Sequence, residues 1–231
     1  MPTFNGPKHM AKRNKPPELS FQRHVADYLV REHGYGVLEQ GDITDTDHCI
    51  AEDQLWAFLK ATQADTLKKL ADDYGTDARD EVFKALRKEL AHTPLWMILR
   101  NGLEVKARVR LQLFYPKPRS NQSAANDGYP QNRITFRPHF YFGETNQEID
   151  FVLFLNGLPI VALELKHEAN QTVHDAVAQF AGRDHTRKIF QHPFLYDRFA
   201  GAFSIICVTV DIRLGGRRWV RTHIPEEVRE T

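Results

Sequence analysis

Residues 149–166, IDFVLFLNGLPIVALELK, decide the fold that we predict for this 231-residue chain. Two strongly apolar runs flank the pair Asn156-Gly157, a dipeptide typical of tight β-hairpins. Apolar residues occupy both alternating phases of each run, which indicates strands that are covered on both faces. A carboxylate in such a strand is costly unless it is paired or binds a metal ion. The charged residues of this hairpin are therefore the candidate functional residues: Asp150, Glu164 and Lys166.

The geometry of the turn decides whether Asp150 and Glu164 share a face of the sheet. Directly opposed residues in an antiparallel pair share a face, and a two-residue loop alone would pair Asp150 with Leu163. A three-residue loop or a β-bulge would instead set Asp150 against Glu164. We predict a three-residue loop over 156–158, with Gly157 in the left-handed conformation. Alternation also places Glu164 and Lys166 side by side at the rim of the sheet.

Helical and strand patterns extend outward from this hairpin. Apolar residues at helical spacing predict a first helix over 18–33 and further helices between 50 and 99. Strict alternation predicts one half-buried strand over 105–115. The remaining patterns predict a strand over 134–142, a helix over 172–181 and a strand around 203–210. The predicted fold class is α/β, a central mixed β-sheet flanked by helices, with a flexible tail at 1–17 and one domain over 18–231.

Composition restricts the class of protein. Acidic and basic residues nearly cancel to a formal net charge of +1, so no strong overall field would draw the chain onto nucleic acid. Two cysteines outside any CxxC pair disfavour a disulfide framework and a structural zinc site. Because no apolar segment is long enough to cross a bilayer, we expect a cytoplasmic protein with no membrane partner. Any phosphate contact must come from a local patch, for which the candidates lie near Trp219: Arg213, Arg217, Arg218 and Arg221.

Asp150, Glu164 and Lys166 suit metal-dependent hydrolysis of a phosphodiester. Two converged carboxylates repel each other without a cation, and oxygen ligands with open water positions suit Mg²⁺ or Mn²⁺ better than zinc. The lysine would orient the attacking water or offset charge on the phosphate. An acid at a strand start, an apolar hairpin and then E-x-K is the spacing of the D, ExK nuclease superfamily. From the tripeptide alone, the alternative is a strand that ends in solvated Glu and Lys.

Three stretches resemble the R (motor and nuclease) subunit of type I restriction enzymes: FLKATQ at 58–63, DFVLFLNGLPIVALELK at 150–166 and QTVHDA at 171–176. The resemblance covers most of 18–210, and its specific part runs from FLNGLP to ELK. It implies a restriction-endonuclease-like core and a type I site-specific deoxyribonuclease acting on double-stranded DNA. It also implies that Asp150, Glu164 and Lys166 are the catalytic set, with Mg²⁺ bound by the two carboxylates and the main-chain carbonyl of Leu165.

Two positions depart from the pattern of this family. Relatives often carry a glutamate in the first helix just after its first aromatic residue, where this chain has Gln22 after Phe21. Relatives also show a glutamine followed four residues later by tyrosine in the helix after E-x-K, whereas Gln179 here is followed by Arg183. The resemblance makes Gln179 a candidate catalytic residue, and its alternative is a place on a solvated helix face.

The family's R subunits continue into an ATP-driven motor, but no GxxxxGK[ST] phosphate loop occurs in this sequence. The resemblance therefore implies that ATP acts only through a motor region outside these residues. The chain is then either an N-terminal fragment or a stand-alone product. For a fragment, the resemblance also implies that this motor region, the methyltransferase subunit and the specificity subunit are partners of the whole enzyme. The alternative function is a catalytically degenerate DNA-binding or subunit-docking module, which Gln22 and Arg183 favour.

Overall fold

The computed structural model describes residues 16–93, 95–107, 109–118, 125–142, 148–163, 207–211 and 219–223. The helices in this part of the chain are α1 (Pro16–His33), α2 (Glu52–Thr62), α3 (Ala64–Tyr74), α4 (Ala78–Leu90), α5 (Leu95–Asn101) and α6 (Ala125–Gly128). The strands are β1 (Gly36–Val37), β2 (Leu103–Lys106), β3 (Val109–Leu111), β4 (Ile134–Tyr141), β5 (Glu148–Leu155), β6 (Leu158–Leu163), β7 (Cys207–Asp211) and β8 (Trp219–His223). The helix predicted over 172–181 lies outside the described residues.

A four-stranded mixed sheet forms the centre of the fold, with its strands in the order β1-β4-β5-β6. β1 runs parallel to β4, whereas β4, β5 and β6 pair antiparallel. β7 and β8 form an antiparallel pair, and Cα atoms of β7 come within 8 Å of β6. The predicted fold class, a mixed sheet with helices around it, is confirmed.

The predicted hairpin is present, but its turn differs from the prediction. Leu155 pairs with Leu158, so the loop has two residues, Asn156 at φ 51° and Gly157 at φ 85°. Two successive positive φ values are the signature of a type I′ turn, which matches the right-handed twist of the strands. The prediction of a three-residue loop is therefore wrong.

A β-bulge in β6 shifts the register by one residue, which is the shift that the three-residue loop was predicted to produce. Leu153 faces Val161 and Phe154 faces Pro159, which leaves Ile160 as the extra residue. Proline has no N–H to donate to the ladder and is accommodated in strands mainly at bulges and edges. Beyond the bulge Phe151 faces Leu163, a register shifted by one residue from that of the turn.

The prediction of one strand over the alternating segment 105–115 is wrong. The segment belongs to the β2-β3 hairpin instead. Leu103 pairs with Leu111 and Glu104 with Arg110, and a bulge lies beside Lys106. A hairpin whose turn preserves the alternation has the same period-two pattern as a single strand, so the pattern cannot distinguish them. The helices predicted between 50 and 99 are confirmed as α2 to α5.

These helices and the β2-β3 hairpin enclose the largest apolar cluster. Leu158 joins it from β6, which fixes the turn of the central hairpin against the start of α2. The amide N–H of Ala51 also donates to the Gly157 carbonyl at 2.9 Å. In the FLKATQ stretch, the Gln63 side chain accepts from the Gln112 N–H at 2.7 Å and donates to its carbonyl at 2.8 Å, as a neighbouring strand would.

The central sheet is covered on both faces, as predicted. α1 packs on one face and forms a cluster with it, which we call the α1 cluster: Val25, Phe136, Phe151 and Leu163. The other face carries what we call the opposite cluster, whose members include Leu38, Cys49, Phe140, Ile149, Val152, Phe154 and Ala162. Phe151 and Phe154 have no exposed surface, and burial of each stabilises the fold by about 1.5–3 kcal/mol.

A charged network ties the segment between β1 and α2 to α4. The Asp45 carboxylate accepts hydrogen bonds from the His48 N–H at 3.0 Å and from Arg87 Nε at 2.7 Å. Arg87 also pairs with Glu52. Burial alone would raise the pKa of Asp45, but the hydrogen bonds from His48 and Arg87 outweigh it and hold the pKa well below its usual range. Burial raises the pKa of Glu52, partly offset by Arg87.

Candidate functional site

Asp150 lies at the rim of the central sheet, where β5 begins next to α1. Its side chain is half-buried between two fully buried neighbours in the strand, Ile149 and Phe151. Gln22 of α1 is only 3% exposed, and its Nε2 donates a hydrogen bond to Asp150 Oδ1 at 3.0 Å. A carboxylate at this depth is stable only with such partners, because loss of hydration otherwise disfavours its charge. Gln22 therefore supplies one of them.

The other end of the Gln22 amide has a different environment. Its Oε1 is buried and accepts no hydrogen bond within the described part of the chain. Buried acceptors in folded proteins are nearly always satisfied by protein, water or an ion. Carboxylate and amide oxygens are ligand types preferred by Mg²⁺ and Mn²⁺, and Asp150 and Gln22 supply one of each at this rim. The residues present therefore fit a hard divalent cation.

The other predicted site residues lie outside the described residues: Glu164, Leu165, Lys166 and Gln179. Among the predicted site residues the structure thus places Asp150 alone, and it brings Gln22 to it. Within the described segments, no group of three or more His, Cys, Asp and Glu side chains forms a metal site. Arg221 and Trp219 fall in β8, whose side chains are not described, and Arg213, Arg217 and Arg218 fall outside the described residues.

A second polar cluster lies at the same rim, on β4 and the first residue of β5. His139 Nδ1 contacts Glu148 Oε1, and the Tyr141 hydroxyl donates to Glu148 Oε2 at 2.9 Å. The hydrogen bond to Glu148 and partial burial raise the pKa of Tyr141 above its ordinary value. His139 has a φ of 51°, a left-handed conformation that is uncommon for a residue other than glycine.

A comparison with known proteins decides the family. A sequence model described as "Type I restriction enzyme R protein N terminus" matches residues 17–222. The match covers most of the chain. The chain belongs to this family.

Membership of the R protein N-terminal family confirms the resemblance carried by the FLNGLP-to-ELK stretch. The α/β architecture with its mixed sheet is compatible with the restriction-endonuclease-like fold expected for this family. No curated protein matches the chain. Among the helices of the described segments, none combines the length and the apolar character that a membrane crossing requires.

Sequence reasoning identified Gln22 only as a departure from the R protein pattern, and it did not predict its contact with Asp150. The signal available was its position after the first aromatic residue of the first helix, where the resemblance predicts an acid. His139, Glu148 and Tyr141 were missed altogether. No spacing in the sequence marks them, because their association depends on the pairing of β4 with β5.

Proposed function

We propose that this chain is the endonuclease domain of a type I restriction enzyme R subunit, which hydrolyses phosphodiester bonds of double-stranded DNA with the help of Mg²⁺ or Mn²⁺. One observation carries the proposal beyond family membership: the half-buried Asp150 carboxylate meets the amide of a buried glutamine whose oxygen has no described hydrogen-bond donor. A rim built of oxygen ligands, at the start of a strand covered on both faces, is where a D, ExK nuclease needs its first acid.

The register of the hairpin supports the same site. Phe151 faces Leu163 and Val152 faces Ala162. If this register continues by one pair, Asp150 lies directly opposite Glu164 in the ladder, so the two acids are cross-strand neighbours. Leu163 faces α1, as Asp150 does, so Glu164 shares the side of Asp150 if the alternation of β6 is interrupted after Leu163. Without the bulge at Ile160, Asp150 would lie opposite Leu163, and Glu164 would be one position further along the ladder.

In the proposed site the carboxylates of Asp150 and Glu164 and the main-chain carbonyl of Leu165 would hold the metal ion, and Gln22 Oε1 would be a neutral oxygen ligand. A bound ion would polarise the phosphodiester and lower the pKa of an attacking water. Two carboxylates give a net attraction for a dication without the extra repulsion of a third.

The remaining roles belong to side chains of the chain itself. Lys166 orients the attacking water or offsets the negative charge that develops on the phosphate. Gln179 donates or accepts a hydrogen bond that positions the phosphate or the water. The apolar residues around Asp150 limit access of bulk water, which strengthens every charge interaction at the rim.

The near-neutral charge of the chain gives it little general affinity for DNA. We therefore propose that DNA reaches the site with the help of partners of the whole enzyme: the ATP-dependent motor region, the specificity subunit and the methyltransferase subunit. The same proposal places the chain in the cytoplasm.

Calorimetric titration with Mn²⁺ tests the metal site directly. We expect binding to the unaltered protein and a loss of about tenfold or more in Asp150→Asn and Glu164→Gln. Asp72→Asn is the matched control, because Asp72 is an exposed acid of α3. Equal affinity in all four proteins would exclude the proposed metal centre.

Nicking of supercoiled plasmid then separates binding from chemistry. We expect Lys166→Ala to retain Mn²⁺ binding and to lose metal-dependent nicking, since lysine is not a ligand. Metal-dependent nicking that survives both Lys166→Ala and Asp150→Asn would come from another site or a contaminant, and would refute this assignment.

The second candidate function is a docking or DNA-binding module whose nuclease site is degenerate. One observation favours it: the Gln22 amide already donates to Asp150, which stabilises the carboxylate without a cation. A module of this kind would show no Mn²⁺ binding in the unaltered protein, and it would bind DNA or a partner subunit equally well with Asp150→Asn.

A further inference from the structure

β4 changes the face that it presents to α1 part-way along its length. Phe136 and Phe140 are four residues apart, so a regular strand would place both on one face. Phe136 instead packs in the α1 cluster, and Phe140 packs in the opposite cluster. His139 lies between them with a φ of 51°. A single left-handed residue redirects the chain and accounts for the reversal.

β5 shows the same reversal at the same level. Ile149 and Val152 are three residues apart, so regular alternation would place them on opposite faces. Both belong to the opposite cluster. Asp150 is two residues from Val152, so regular alternation would place both in the opposite cluster and turn Asp150 away from α1. Counted from Ile149, it turns Asp150 toward α1, which agrees with the hydrogen bond from Gln22.

The two reversals face each other across the ladder. Pro138 pairs with Phe151 and Phe140 pairs with Ile149, so His139 and Asp150 occupy the positions between these pairs. Between the first and the last pair of the β4-β5 ladder, this is the one position at which the two residues are not paired. The left-handed residue and the candidate metal ligand are therefore neighbours in the sheet.

Contacts on β4 and β5 hold His139 in its uncommon conformation. Its Nδ1 contacts Glu148, which also accepts the hydroxyl hydrogen bond of Tyr141. Glu148 and Asp150 are two residues apart in β5, so this contact anchors the strand directly beside the reversal. Backbone strain of this kind persists only where surrounding contacts enforce it, and it is concentrated at functional sites.

We propose that His139 is a positioning residue: its left-handed backbone, anchored by Glu148, reverses the faces of β4 and β5 and aims the Asp150 carboxylate at α1. Its effect on metal binding rests on the proposed nuclease function, whereas the aiming of Asp150 does not. Asparagine should substitute for His139, because it tolerates the left-handed region and its side-chain amide can donate to Glu148. Valine should not, because its branched side chain disfavours that region.

The Gln22 side-chain amide provides a readout that needs no metal. In a ¹H–¹⁵N spectrum of the full chain, assigned with Gln22→Ala, the hydrogen bond to Asp150 shifts this signal away from that of a free glutamine amide. We expect His139→Asn to keep the shift and His139→Val to lose it. Mn²⁺ titration is the second readout, with an expected loss of about tenfold or more in His139→Val and near-normal affinity in His139→Asn.

Glu148→Ala repeats the test if His139→Val does not fold, since it removes the anchor and leaves the backbone residue in place. His92→Asn is the matched control, because His92 is an exposed histidine in the turn after α4. An unchanged Gln22 signal in folded His139→Val or Glu148→Ala would overturn the proposal, as would an equal loss in His139→Asn. If the unaltered protein binds no Mn²⁺, the nuclease proposal fails, but the Gln22 signal still decides the role of His139.

Discussion

Gln22 and Asp150 are 128 residues apart in sequence, yet Gln22 Nε2 donates to Asp150 Oδ1 at 3.0 Å. This contact joins α1 to the rim of the sheet through an amide, at a position where the resemblance predicts an acid. Compared with a carboxylate at this position, the amide lacks one negative charge and has an N–H donor. The balance between metal-free stability and metal affinity should therefore depend on this residue.

Gln22→Glu should make the protein more dependent on metal. Without a cation, two adjacent carboxylates repel and the donated hydrogen bond is lost, so we expect a decrease of about 1–2 kcal/mol in the free energy of unfolding at pH 7. With Mn²⁺, the added charge should give a larger stabilisation than in the unaltered protein. Thermal unfolding with and without Mn²⁺ measures both effects.

Gln131→Glu is the control for this comparison, because Gln131 is exposed. If Gln22→Glu and Gln131→Glu respond to Mn²⁺ alike, then Gln22 does not belong to a metal site.

Gly157→Ala should destabilise the hairpin. Gly157 has a φ of 85°, and an added Cβ would collide with the Ala51 carbonyl oxygen. The left-handed conformation and the overlap together should cost about 2–4 kcal/mol, measured by urea unfolding. Gly41→Ala is the control, since a Cβ there meets no atom within 4 Å, and we expect it to change stability by less than about 0.5 kcal/mol. Similar losses in the two variants would argue against the turn described here.

Asp45→Asn should remove an acid-sensitive contribution to stability. The pKa of Asp45 is held below its ordinary value, so its ionised form stabilises the fold above the unfolded pKa of about 3.9. This stabilisation is lost as the pH falls toward the lowered pKa of the folded state. We expect Asp45→Asn to cost about 2–3 kcal/mol at pH 7, and the difference from the unaltered protein to shrink below about pH 4.

Urea unfolding at pH 7 and at pH 3 measures this difference. Glu52 acts in the opposite direction, because burial raises its pKa. The charge of Asp45 contributes to this rise, so Asp45→Asn also removes part of the opposing effect. A difference that stays constant with pH would show that the Asp45 charge is not the cause, and Asp72→Asn gives the effect expected of an exposed acid.

Cys49 should react with alkylating agents only after unfolding. The residue is 1% exposed, and burial, with the nearby charges of Asp45 and Asp47, raises the pKa of its thiol to about 12. The thiolate is the reactive form, so it is both scarce and inaccessible in the folded protein. In a Cys207→Ser background, mass spectrometry should detect iodoacetamide labelling in urea but not in buffer at pH 8. Rapid labelling in buffer would contradict this burial.

Several elements could be predicted from local patterns. The period of apolar residues identifies α2, α3 and α4, and the Asn156-Gly157 pair identifies the hairpin. Two results could not be predicted, because a period-two pattern does not count residues across a turn. The pattern of the segment 105–115 therefore predicts one strand instead of a hairpin. The one-residue shift in register is predicted in the loop, whereas it arises from the bulge at Ile160.

The sequence by itself determined that an acid lies at the start of a buried strand, that the strand belongs to a tight hairpin, and that both faces of the hairpin are covered. Only the tertiary structure decided which way Asp150 faces. Its orientation depends on the left-handed His139 in the paired strand and on the docking of Gln22 from α1. Periodicity reports the local geometry of one segment, whereas these contacts join residues from three segments whose separation along the chain carries no signal.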